Sequence, residues 1–153
     1  MSGNSERTYI MCKPDSVQRG IQFSILNRFA KRGYTNVALK MCIPTKEQAE
    51  EHYAEHKGKG FFPAVTGFLC SGPVVCAVFQ GPNVVAAGRQ ILGATNPLKA
   101  ELGTIRGDFA VSGSYNTTHA SDSVDAAQRE MDIWFKKEEI LDYKRDLEKW
   151  CWE

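Results

Sequence analysis

The stretch Ser71-Gly-Pro-Val-Val-Cys-Ala-Val-Phe-Gln-Gly-Pro82 constrains this chain more than any other. Val74 to Phe79 is continuously apolar, rich in β-branched residues and closed on both sides by Gly-Pro, so it is the clearest strand in the sequence. A second short, β-prone run, Thr8 to Cys12, ends in the polar turn Lys13-Pro14-Asp15. Tyr34 to Ile43 supplies a third strand.

Helical patterns lie between these strands. Ile21, Ile25, Leu26 and Phe29 recur at helical spacing, and Gly33 follows Lys31-Arg32 as a stop. Thr45-Lys-Glu-Gln48 resembles a capping start for a polar helix to Lys57, with His52, Tyr53 and His56 on one face. Gly58-Lys-Gly60 breaks it, and Phe61 to Leu69 forms a second short helix. Asn83 to Leu92 is a helix ended by Gly93. Asp122 or Ser123 caps a last long helix whose apolar face is Val124, Ala127, Met131 and Trp134. Ala94 to Tyr115 shows no periodicity and is expected to be a long functional loop. The order of elements suggests an α/β sandwich, an antiparallel sheet with helices on one face. The aromatic tail Trp150-Cys-Trp-Glu153 needs cover from the domain or from a neighbouring subunit.

Composition narrows the class. A chain of 153 residues with 42% hydrophobic and 24% charged content is the size and make-up of one domain spanning 1–153. Its net charge of +1, from 19 basic and 18 acidic residues, gives no global reason for nucleic-acid or membrane binding, so any anion site is local. Five cysteines without a C-x-x-C pair read as reduced thiols of a cytoplasmic protein. Residues 1–7 lack the basic and apolar regions of a leader, and the longest apolar run is too short to span a bilayer.

Chemistry concentrates between Thr104 and Ser123, which holds Arg106, Asp108, Asn116, His119, Ser121 and Asp122. His119 can be nucleophile, base, metal ligand or a plain hydrogen-bonded histidine. Glu130, eleven residues on, offers a carboxylate that would fix its tautomer and leave the other ring nitrogen free. Lys13, Arg89 and Arg106 sit beside turns, loops or helices, where such cations pair with phosphate oxygens. No G-x-x-x-x-G-K-[S/T] loop is present, so phosphate would need another clamp. His52-Tyr-Ala-Glu-His56 spells H-x-x-E-H, which raises a metallopeptidase as a rival, with a solvated helix face as the plainer reading. A nucleic-acid module stacking bases on Tyr9 or Phe79 lacks both the signature and the basic stripe.

Over nearly its full length the chain resembles the nucleoside diphosphate kinases. The matching residues include Glu6-Arg-Thr, Lys13-Pro-Asp, Gln18-Arg-Gly20, His52-Tyr53, Lys57 with Phe61-Phe62, Ser71-Gly-Pro-Val-Val75, Gly88-Arg89, Gly93-Ala-Thr-Asn-Pro97, Gly103-Thr-Ile-Arg-Gly-Asp-Phe109 and Asn116 to Ser123. The resemblance implies a ferredoxin-like fold, a four-stranded antiparallel sheet with helices packed on it, assembled as a homo-oligomer, a hexamer or a tetramer. It implies a ping-pong reaction in which a nucleoside triphosphate phosphorylates His119 and a nucleoside diphosphate takes the group back. By position, Glu130 and Ser121 hold His119, while Lys13, Tyr53, Arg106 and Asn116 bind phosphates and the sugar hydroxyl. Arg89 and Thr95 hold the β-phosphate side, Phe61 stacks on the base, and Asp122 lies near a Mg2+ ion, through water. Four positions depart from the family pattern: Ala120 for glycine, Gly113 for an apolar wall of the base slot, Tyr115 for arginine and Leu102 for proline. An alternative is a nucleotide-binding regulatory or scaffold protein of the same fold that has lost turnover.

Overall fold

In the computed structural model, which describes residues 5–153, four strands form one antiparallel sheet: β1 (Arg7–Cys12), β2 (Thr35–Cys42), β3 (Val74–Gln80) and β4 (Thr118–Ala120), in the order β2-β3-β1-β4. Seven α-helices connect and cover them: α1 (Pro14–Gln18), α2 (Gln22–Arg32), α3 (Lys46–His52), α4 (Phe62–Leu69), α5 (Val84–Leu92), α6 (Ile105–Phe109) and α7 (Val124–Trp134). The expectation for 1–7 falls partly on residues 1–4, which lie outside the described residues.

β3 is central, and every residue from Val74 to Phe79 is buried. Successive strand side chains point to opposite faces. Tyr9, Met11, Val74, Cys76 and Val78 accordingly join Leu69 of α4 and Ala127, Met131 and Trp134 of α7 in one core. Ile10, Cys12, Val75, Ala77 and Phe79 join Ile25 and Phe29 of α2, Val84 and Leu92 of α5, and Ile105 of α6 in the other. Helices therefore cover both faces, not one as expected from the order of elements. The unbroken apolar run of β3 is the reason, since a strand half exposed to water would alternate. A bulge at Val37 puts Val37 and Ala38 on the same face of β2.

Local signals act where the sequence places them. Thr45 and Gln48 form a reciprocal capping box on α3, with Gln48 N–H donating to Thr45 Oγ1 at 3.1 Å and Thr45 N–H to Gln48 Oε1 at 3.0 Å. Ser123, of the two candidates, caps α7 by accepting from Ala126 N–H at 3.0 Å. Gly33 ends α2 at φ 113°, a left-handed conformation that glycine adopts without a Cβ penalty.

Three expectations need correction. The polar turn at Lys13-Pro14-Asp15 is the start of α1, with Pro14 at its first position, where a missing N–H costs nothing. The helix expected to run to Lys57 stops at His52 and continues as a 3-10 turn, Ala54–His56. The expected loop from Ala94 to Tyr115 contains a 3-10 turn at Pro97–Lys99 and α6, capped by Thr104; elements this short leave no period to read. In the tail, Trp152 packs on Tyr34 and the second core, whereas Trp150 remains exposed.

Candidate functional site

β4 carries the candidate nucleophile. It pairs with β1 so that His119 lies opposite Met11, on the face covered by α3 and α7, while Ala120 points the other way. The approach to β4 is strained: Thr117 sits at φ 70°, a region that β-branched residues avoid. Asp15 Oδ2 accepts from Thr117 N–H at 3.0 Å, and Lys13 N–H donates to Thr117 O at 2.9 Å, so α1 and its cap hold that turn in place.

His119 and Glu130 meet as the sequence suggests, with Nε2 and Oε2 2.7 Å apart. The other carboxylate oxygen of Glu130 accepts from Ser121 Oγ at 2.6 Å, and Ser121 Oγ in turn accepts from Tyr9 N–H at 3.1 Å. This chain runs from backbone through hydroxyl and carboxylate to imidazole. The side chain of His119 keeps 22% of its surface exposed against 4% for Glu130, so the ring is reachable from the cleft and its partner is not. Burial, with Lys13, Arg89 and Arg106 nearby, pushes the His119 pKa well below its ordinary range. Burial likewise raises that of Glu130, with the Ser121 hydrogen bond opposing. We therefore assign a neutral imidazole donating Nε2–H to the carboxylate, which leaves the Nδ1 lone pair unbonded.

Cations and amides form an adjoining layer. Lys13 Nζ donates to Asn116 Oδ1 at 2.9 Å, and Asn116 Nδ2 to Thr95 O at 3.2 Å. Arg106 is buried and donates to three backbone carbonyls, Asn116 O (3.2 Å), Thr118 O (2.7 Å) and Gly93 O (3.4 Å), thereby tying the loop after α5 to β4. Arg89 Nη1 donates to Ala120 O at 3.2 Å. Burial, reinforced by Arg106, brings the Lys13 pKa down to about 8, and burial beside Arg89 brings that of Arg106 down to about 10. Burial pushes the Tyr53 phenol up to about 12, which keeps its O–H a donor.

A cavity of about 450 Å3 opens over His119, lined among others by Tyr53, Arg89, Asp122 and Glu130. Lys13, Thr95, Arg106 and Asn116 belong to the layer beside it, and Phe61 lies at its edge, half exposed, with its ring 5.2 Å from that of His56 and Lys59 over it at 5.7 Å. Asp122 is exposed and has no hydrogen bond or ion pair among the described residues. An exposed carboxylate on the wall of this cleft fits a hard cation held mainly by phosphate oxygens and water, with the carboxylate reaching it through water. A larger cavity, about 690 Å3, lies against α1, Phe68 and residues 107–112 and contains none of the expected site residues.

Asp125 and Arg129, which no sequence signal singles out, also line the cleft, as do Glu55 and His56. His56 was read only as half of H-x-x-E-H. That reading fails geometrically, because α3 ends at His52: His52 is buried while His56 sits in the following turn beside Phe61. His52, His119 and Glu130 do bring three ligand-type atoms within 4.8 Å. Trp134 Nε1–H, however, donates to His52 Nδ1 at 3.2 Å, which requires the proton on Nε2 and leaves no lone pair there for a metal.

The departures from the family pattern avoid the charged groups. The Ala120 side chain is fully buried in the core on the opposite face from His119. A Cβ on Gly113 would meet nothing within 4 Å. Tyr115 packs edge-on against Phe68 at 5.6 Å, away from His119, and Leu102 is 85% exposed.

The chain is similar to known proteins over nearly its whole length. The family model for nucleoside diphosphate kinase matches residues 6–140. The chain is 52% identical to a nucleoside diphosphate kinase of Saccharomyces cerevisiae over 153 residues, all of both chains. It is 50% identical to that of Acaryochloris marina, covering 97% of this chain and 99% of the relative. Among solved structures, a nucleoside diphosphate kinase family protein from Babesia bovis superposes with a TM-score of 0.94 at 43% identity, over 96% of this chain and 99% of that one. A halophilic nucleoside diphosphate kinase from Halobacterium salinarum, solved in complex with CDP, superposes equally well at 40% identity, over 97% and 99%.

Proposed function

This chain belongs to the nucleoside diphosphate kinase family and is a phosphotransferase with a ferredoxin-like fold, and from that premise we propose that His119 Nδ1 carries the transferred phosphoryl group. The observation that carries this reading is the occupied Nε2. With Glu130 2.7 Å away on one nitrogen, only the other has a free lone pair, and the ring is open to the cleft.

In the first half-reaction Nδ1 attacks the γ-phosphorus of a nucleoside triphosphate in line with the departing oxygen. The N–P bond forms as the bond to the β-phosphate oxygen breaks, and the diphosphate leaves with that electron pair. No proton need move. The imidazole becomes positively charged, and the Glu130 carboxylate balances it while Ser121 keeps the carboxylate in place. A second nucleoside diphosphate reverses the step. Arg89 and Thr95 would hold the β-phosphate, Lys13, Tyr53, Arg106 and Asn116 the phosphates and sugar hydroxyl, and Phe61 the base. Stacking on Phe61 accepts any base, because every base has a π face. Asp122 would hold Mg2+ through water, and the ion would supply charge neutralisation at the phosphates when bound.

We further read residues 1–153 as a single domain of a homo-oligomer, a hexamer or tetramer, in the cytoplasm. Residues beyond the family match pack back on β2, where Leu141 N–H donates to Val37 O at 2.8 Å and Tyr143 O–H to Asn36 O at 2.8 Å. Leu39, Met41 and Ile43 expose apolar surface along β2, consistent with cover by another copy. All five cysteines are free thiols, and no helix among the described residues is long and apolar enough to cross a membrane. Light scattering measures the assembly. Incubation with γ-labelled ATP tests the central reading: an acid-labile, alkali-stable label that His119→Ala abolishes and added diphosphate discharges supports it, and a wild-type chain that takes no label refutes it.

A further inference from the structure

His52 is a buried imidazole that the reaction as described leaves unused. It ends α3, and its ring centroid lies 4.5 Å from that of His119, the two planes meeting at 76°. Trp134 Nε1–H donates to its Nδ1 at 3.2 Å, and the rings of Tyr9, Tyr53 and Trp134 enclose it at 6.3, 4.9 and 5.7 Å.

Two physical consequences follow. First, His52 stays uncharged. Protonating Nδ1 would turn it toward the indole N–H, donor against donor, in a buried site. A neutral neighbour leaves the Glu130 charge available to the imidazolium that forms on His119. Second, the hydrogen bond to Glu130 does not by itself fix the ring of His119. The last torsion of a histidine is broad, and Nε2 lies close to the axis about which the ring turns, so a contact at Nε2 permits swing. A flat group bearing on the ring from the side removes that freedom. His52 is the nearest aromatic ring to His119, with Tyr9 next at 6.0 Å.

We propose that His52 is a positioning residue for His119: a flat ring, kept uncharged by its bond from Trp134, that keeps His119 Nε2 on Glu130 and Nδ1 facing the cleft while the phosphoryl group arrives and leaves. This rests on the reading of His119 as nucleophile. Holding the nucleophile within a few degrees of its line of attack is worth orders of magnitude in rate, and misplacement of about 1 Å costs about 100-fold.

Two substitutions separate the ring from the anchor. His52→Asn keeps an acceptor for Trp134 and removes the ring; His52→Phe keeps a ring and removes the acceptor. The measurement is the single-turnover rate of His119 labelling by γ-labelled ATP, with the half-saturating ATP concentration, alongside nitrogen NMR of the His119 imidazole. The expected result is a rate at least tenfold lower in His52→Asn and within about threefold of wild type in His52→Phe, with half-saturation within twofold in both. Wild type and His52→Phe should show one protonated and one unprotonated His119 nitrogen, and His52→Asn an averaged pair. Loss of packing alone would lower stability in both variants without this rate order or the tautomer signature. A His52→Asn rate within threefold of wild type, or a His52→Phe rate as low as that of His52→Asn, overturns the inference. Should His52→Asn not fold, a His52→Phe rate more than tenfold down overturns it alone. A wild-type chain that takes no label on His119 instead refutes the reading beneath it and removes this inference too.

Discussion

Replacing Glu130 with glutamine removes a charge and little else. In the wild type its carboxylate accepts from His119 Nε2–H at 2.7 Å and from Ser121 Oγ at 2.6 Å. In Glu130→Gln the amide oxygen keeps the bond to His119. Ser121 can turn its hydroxyl hydrogen to Tyr9 O, 3.3 Å away, and accept from the new amide, so no buried group is orphaned. What disappears is the charge that balances the phosphorylated imidazolium. Hydrogen bonds to charged groups contribute about 1.5–3 kcal/mol. At about 1.36 kcal/mol per factor of ten, the labelling rate should fall about 10- to 150-fold. Stability should hold within about 1 kcal/mol, because burial already disfavours the charged carboxylate in the folded state. Rapid-quench labelling with γ-labelled ATP and thermal melting measure the two effects. A rate within threefold of wild type would show that the charge plays no part in the step, and an equal collapse of stability would assign Glu130 to structure.

The pH dependence of stability has a definite sign. Burial holds His52 and His119 neutral below their ordinary range, so between about pH 6.5 and 5 the unfolded chain binds more protons than the folded one. Stability is complete above about pH 6.5 and falls below it, by up to about 1.4 kcal/mol per pH unit for each histidine. The raised pKa of Glu130 opposes this as the carboxylate range is entered. Urea midpoints at pH 7.5, 6 and 5 should decline in that order, and a flat series contradicts the burial argument. Ala120→Gly should cost about 1 kcal/mol by urea denaturation and leave the labelling rate unchanged, since the methyl packs in the core opposite His119; a changed rate would contradict that placement. Gly113→Val adds a side chain into open space; if that space faces the base opposite Phe61, as the resemblance implies, it should tighten ADP and GDP by about fivefold, on the order of 1 kcal/mol by calorimetry. Unchanged affinity for both would remove Gly113 from the slot.

How much of this was legible in the sequence depends on whether the signal was local. The β3 run, the Thr45 cap and the Gly33 stop act within a few residues and stand where they were read. The His119–Glu130 pair was foreseeable because a strand and a capped helix separate the two by eleven residues. α6 was not, because five residues are too few to set a period, and the covering of both sheet faces was misread although β3 itself signals it. The roles of Arg106 and His52 were also hidden. Arg106 looks like a surface cation but closes three carbonyls between β4 and the loop after α5, and His52 looks like part of a polar helix face but meets Trp134 from 82 residues away. Such contacts depend on how elements pack, which no local pattern encodes.

The most direct test of the central claim is phosphorus and nitrogen NMR of the phosphorylated protein, with the histidine nitrogens labelled. The expected spectrum shows phosphorus coupled to Nδ1 of His119, with Nε2 still protonated and held by Glu130. Coupling to Nε2, or a phosphoryl group on any other residue, would contradict it.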